Sequence, residues 1–118
     1  MALVIAIVGA AVSPKSSEPL SGGERAIADL LPKRELCRHN LAELQKLGVR
    51  VTDYDGSTTA EYPELAWDSL EHEDKIKQAL LVFCAKMPDN GRYTVMIHGI
   101  HNGKRLASVV DGNFFDGD

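Results

Sequence analysis

Residues 91–112, GRYTVMIHGIHNGKRLASVVDG, decide how the fold is read. Two runs rich in Val, Ile and Thr flank Asn102-Gly103. That dipeptide suits the tight turn of a β-hairpin, because both residues accept a positive φ. The spacing predicts two antiparallel strands joined by a two-residue turn. In that register His101 pairs with Lys104 and His98 lies opposite Ala107. Side chains alternate along a strand, so the two histidines point to opposite faces. His101 falls at an exposed tip. His98 sits between Met96 and Ile100 on a mostly apolar face, near Arg105.

Upstream, residues 3–12 are rich in Val and Ile and apolar on both sides, a pattern that suits a central strand covered on both faces. The run is too short to span a bilayer. No Lys or Arg precedes Lys15, so a buried strand is preferred to a secretory leader, which is kept as the alternative. A Ser/Pro/Gly loop follows, and Ser21 stands three residues before Glu24, the spacing of a capping box that starts a helix near Gly22. Pro32 interrupts that helix and opens a second one, in which Cys37, Leu41, Leu44 and Leu47 share a face. Gly48 is the expected stop. Residues 49–55, VRVTDYD, alternate like a strand that DGST breaks. Pro63 opens a helical stretch with Leu65, Ala66 and Leu70 as buried positions. The stripe restarts near Ser69 to His72 and continues through Ile76, Ala79, Leu80, Phe83 and Met87. PDNG at 88–91 is a turn.

The predicted fold class is therefore α/β. A small sheet has a parallel β-α-β-α-β core, and the C-terminal hairpin adds an antiparallel edge strand. Helices lie on one or both faces. The chain of 118 residues reads as a single domain over 1–118, with 112–118 as a flexible or docking tail. Its formal net charge of -4 speaks against a dedicated duplex nucleic-acid binder, which carries a basic surplus. The two cysteines, Cys37 and Cys84, form no CxxC and fit no zinc spacing, so they are expected as buried, reduced thiols in a cytoplasmic protein with no membrane partner.

Ligands of doubly wound sheets bind beyond the carboxyl ends of parallel strands. Two loops answer that description. Ser13, Lys15 and Ser16 offer donors to an anion, and Asp53 and Asp55 offer carboxylates to hydroxyl groups. Neither GxGxxG nor GxxxxGK[ST] is present, and no motif names a cofactor. The basic turn of Lys33, Arg34, Arg38 and His39 reads as a solvated face, and Tyr62 and Trp67 read as packing residues.

Residues 4–14 and 47–55 with PELAW resemble the strand and turn punctuation of nucleoside deoxyribosyltransferase-like proteins, and MIHGIHN resembles a run in zinc N-acetylmuramoyl-L-alanine amidases. The second resemblance would make His98 and Glu35 metal ligands. The first family's helix with a catalytic glutamate is missing, as is the second family's first-strand histidine, so neither resemblance assigns a family. The expected function is non-catalytic: a small protein, working as a homo-oligomer, that binds an anionic, nucleotide-like small molecule or a protein partner. The alternative is a hydrolase or transferase acting on a nucleotide- or glycan-like substrate with His98 and Asp53.

Overall fold

The computed structural model describes residues 22–117. The expected first strand at 3–12 and the donors Ser13, Lys15 and Ser16 lie outside the described residues. Among the described residues, five strands form one sheet in chain order: β1 (Arg50–Tyr54), β2 (Ser57–Tyr62), β3 (Thr94–Gly99), β4 (Arg105–Val110) and β5 (Asn113–Asp116). Of these, only β2 and β3 run parallel, and the other neighbouring pairs are antiparallel. The α/β class holds, while the parallel β-α-β-α-β core shrinks to a single parallel pair. Helices α3 (Glu64–Asp68) and α4 (His72–Lys86) fill the crossover that a parallel pair requires.

The corrections have a common cause in three turn dipeptides. Asp55-Gly56 was expected to end a strand. It instead makes a two-residue turn between Tyr54 and Ser57, with Gly56 at φ 80°. The segment STTAEY after it becomes β2, with Thr58, Ala60 and Tyr62 buried and the residues between them half-buried. Asp111-Gly112 likewise turns the chain into β5, with φ 50° and 87°, the positive pair of a type I′ turn. Residues 113–116 are thus a strand and not a loose tail. Asn102-Gly103 sits inside the longer loop 100–104, closed by the Gly99 N–H on the Lys104 carbonyl at 2.9 Å. The register slips between Ile97 and His98, so Ile97 faces Ala107 and His98 faces Arg105. A bulge of this kind leaves one extra residue on β4, and Leu106 turns with Ala107 toward the core.

Helices α1 (Gly22–Leu30) and α2 (Arg34–Lys46) are joined by a 3-10 turn, Leu31–Lys33, that contains Pro32. Helix α2 ends as expected at Gly48, φ 112°. The Val49 and Gly48 N–H groups return to the Leu44 and Gln45 carbonyls at 3.2 Å, which satisfies the last carbonyls of the helix. Helix α4 packs on β3, β4 and β5, while α2 packs mainly on α4. The α2 face is thin, because only Cys37 and Leu41 are buried on it. A disulfide between Cys37 and Cys84 ties α2 to α4 across 47 residues, which corrects the expectation of two reduced thiols. Closing a loop of that length stabilises the folded chain by about 4 kcal/mol in the chain-entropy picture. Disulfides persist in oxidising compartments, so the bond removes the support that reduced thiols lent to a cytoplasmic location. No helix among the described residues is long and apolar enough to cross a membrane.

Candidate functional site

The sheet has two unlike faces. Toward the helices point Thr58, Ala60, Val95, Ile97, Ala107 and Val109, all fully buried. The opposite face is crossed by three rows set by the strand register. The first is Arg50, Glu61, His98 and Arg105. The second is Thr52, Thr59, Met96, Ser108 and Phe115. The third is Tyr54, Ser57, Thr94, Val110 and Asn113. Tyr54 and Phe115 on its two margins are 59% and 53% exposed, Ser108 in its middle row is buried, and Asn113 lies against the start of α1.

The register separates the residues proposed as a catalytic pair. Asp53 lies opposite Thr58 on the helix-facing side, whereas His98 lies beside Glu61 on the open side. The Asp53 carboxylate accepts hydrogen bonds from the Thr58 hydroxyl at 2.9 Å and the Lys86 ammonium at 3.0 Å. Burial alone would raise its pKa, but the Lys86 and Thr58 hydrogen bonds and the charge of Lys86 outweigh that and hold it below the ordinary value. The Thr58 hydroxyl also meets the Tyr93 hydroxyl at 2.7 Å. Asp53 therefore fastens β1 to α4. Asp55 is exposed in the adjoining turn. Because β1 is antiparallel to β2, both acids sit at the amino ends of the parallel pair, not at the carboxyl ends where they were expected.

Those carboxyl ends hold a constellation that sequence spacing did not show. Glu64, the first residue of α3, folds over the loop after β3. Its carboxylate accepts hydrogen bonds from the backbone N–H groups of His101 at 2.8 Å and Asn102 at 2.7 Å, and from the His101 ring Nδ1 at 2.7 Å. Those contacts, led by the Asn102 N–H, pull the Glu64 pKa from 4.5 to about 2. Paired backbone N–H groups form an anion cradle, and here the chain's own carboxylate fills it. Gly99 makes this possible, because a Cβ there would collide with the Glu64 side chain and with Asn102. Glu64 and His101 stand 37 residues apart, so no local motif could have joined them.

Several polar residues of α2 are paired within the chain. Arg34 pairs with Asp89 at 2.6 Å and reaches the Met87 carbonyl, and Arg38 bridges Glu35 and the Ala85 carbonyl. Glu35 is thus an ion-pair partner on α2. Trp67 and Tyr62 meet edge to face at 5.1 Å in the core. A hollow of about 180 Å³ between α2, α3 and α4 is lined mostly by apolar residues such as Leu44, Leu47 and Leu70. Its polar groups are paired, since the Tyr62 hydroxyl donates to Gln78 Oε1 at 2.9 Å. Among the described residues no three His, Cys, Asp or Glu side chains are grouped to hold a metal.

A polar hollow of about 250 Å³ is lined by Glu24, Asn90, Arg92, Asp111 and Asn113, and further polar groups lie on the open face. In its first row Arg50 pairs with Glu61 at 3.3 Å. The His98 ring and the Arg105 guanidinium make no hydrogen bond or ion pair among the described residues. Hydroxyls of Thr52, Thr59 and Ser108 lie one row away. The fold and this face define a two-layer α/β domain with an open-faced sheet. No protein-family model matches the chain, and no curated protein or solved structure resembles it.

Proposed function

We propose that the protein is a non-catalytic binding domain for an anionic small molecule, which it takes on the open face of its sheet. The carrying observation is the row Arg50, Glu61, His98 and Arg105. It sets two guanidinium groups and an imidazole against one carboxylate in a chain whose overall charge is -4. Arg105 supplies a planar fork suited to phosphate or carboxylate. Arg50 is half-committed to Glu61 and joins when the ligand competes for it. The exposed Thr52 and half-buried Thr59 hydroxyls receive the ligand's own polar groups, and Met96 gives an apolar floor. Five strands of about five residues offer a flat face of roughly 400 Å². That is about half of one side of a stable protein interface, and ample for a nucleotide-sized ligand.

The sequence placed its anion donors and its acids elsewhere. Asp53 is engaged by Lys86 and Thr58, and the backbone cradle near Asn102 is engaged by Glu64. The filled backbone cradle supports a reading in which an external anion binds on the open face. The test is a two-dimensional NMR titration of the full chain with inorganic pyrophosphate and, separately, adenosine monophosphate at low salt. Shifts at His98, Arg105 and Thr59 that vanish in an Arg50→Ala/Arg105→Ala variant are expected, with weakening as salt rises. Shifts centred on Asp53 to Gly56, or none at saturating ligand, would overturn the proposal.

A further inference from the structure

We infer that β1 is a self-association edge, where a second copy of the chain adds its own β1 antiparallel to extend the sheet. Strand β1 pairs only with β2 among the described residues, so one side of its backbone has no sheet partner there. Edge strands of monomers are normally guarded by proline, free charge, a bulge or a covering element. The stretch RVTDY contains no proline, and its pairing with β2 is regular throughout. Both of its charges are paired within the chain, Arg50 with Glu61 at 3.3 Å and Asp53 with Lys86 at 3.0 Å, while their side chains stay 65% and 57% exposed. The opposite edge differs, since β5 is shorter and α1 packs on it.

The sequence of β1 is complementary to itself. Full overlap of its five residues requires a two-fold axis at Thr52. Arg50 then lies opposite Tyr54 of the second copy on the open face, a cation beside an aromatic ring. Val51 lies opposite Asp53, whose charge Lys86 already neutralises. An axis normal to the sheet keeps both helical layers on one side and joins the two open faces into one. The helix-facing apolar residues of β3 and β4 take no part in it. Val95, Ile97 and Val109 are fully buried against the helices of their own chain. The inference shares Arg50 and Thr52 with the anion reading, but its readout is the mass of the ligand-free chain in solution, so the two fail separately.

The interface is short, so a weak, concentration-dependent dimer is expected. Sedimentation and native mass spectrometry of the full chain, at loadings up to about 0.5 mM, read it out. Thr52→Lys sets two like charges against each other at the axis while leaving an exposed position on the fold. It should weaken the dimer by about tenfold or more without moving the melting temperature. Thr52→Glu should do the same, and mixing the two variants should restore association. A wild-type chain that stays monomeric throughout overturns the inference, as does a dimer that Thr52→Lys leaves unchanged. Failure of the mixture to restore association overturns the axis at Thr52.

Discussion

The two faces of the sheet are built from the same strands, one residue out of phase. On β3, Val95 and Ile97 are fully buried while Met96 and His98 between them are half-buried on the open side. Burying a Val or Ile side chain stabilises a fold by about 1.5–3 kcal/mol, so the helix-facing residues are fixed by packing. The open face makes no comparable contribution. Its mixture of arginine, histidine, threonine and methionine is therefore free to follow a ligand. One face specifies the fold, and the other is available for function.

The sharpest break in this contrast is covalent. Helix α2 is held by buried Leu41, by the Cys37–Cys84 bond and by Arg34 and Arg38 on the Met87 and Ala85 carbonyls. A Cys37→Ala/Cys84→Ala chain should lose about 4 kcal/mol in denaturant titration, with the open face unaltered. Next comes a matched pair of truncations on one strand. Ile97→Ala should cost about 3 kcal/mol and Met96→Ala under about 1 kcal/mol. Equal costs would mean that both faces are packed. Smaller still, Gly99→Ala should cost about 2 kcal/mol, because the added methyl displaces the Glu64 carboxylate from its backbone donors.

The smallest effect is in acid. The Glu64 pKa is lowered in the folded chain from 4.5 to about 2. Its stabilisation is therefore complete above pH 4.5 and is lost as the pH falls toward about 2. Glu64→Gln should flatten that part of a melting-temperature profile against pH. An unchanged slope would show that the loop carboxylate is not held as described.

Periodic elements were legible in the sequence. The stripe ending at Met87, the stop at Gly48 and the break near Ser69 to His72 all follow from local rules, and all appear in the fold. Strand β2 was not legible, because STTAEY presents Thr58 and Ala60 to the core instead of large apolar residues. The turn chemistry was the better guide: Asp55-Gly56 and Asp111-Gly112 each mark a hairpin whose second strand is too polar or too short to announce itself. Asn102-Gly103 looks like the strongest such signal, yet it sits inside a five-residue loop, where Glu64 reaches in from another element. That contact, the bulge beside His98 and the Cys37–Cys84 bond all depend on residues brought together by the fold. His98 and Asp53, read together from the sequence, lie on opposite faces, because strand register is not revealed by spacing.

The most direct test of the two-faced sheet uses two methionines already in the chain. Met96 lies on the open face, and Met87 is 2% exposed beneath the helices. Brief treatment of the native protein with dilute hydrogen peroxide, followed by peptide mass spectrometry, compares their rates of sulfoxide formation. The expected result is prompt oxidation of Met96 and protection of Met87 until the chain is unfolded. Equal protection of Met96 would mean that its face is covered, and would contradict the open face on which the binding proposal rests.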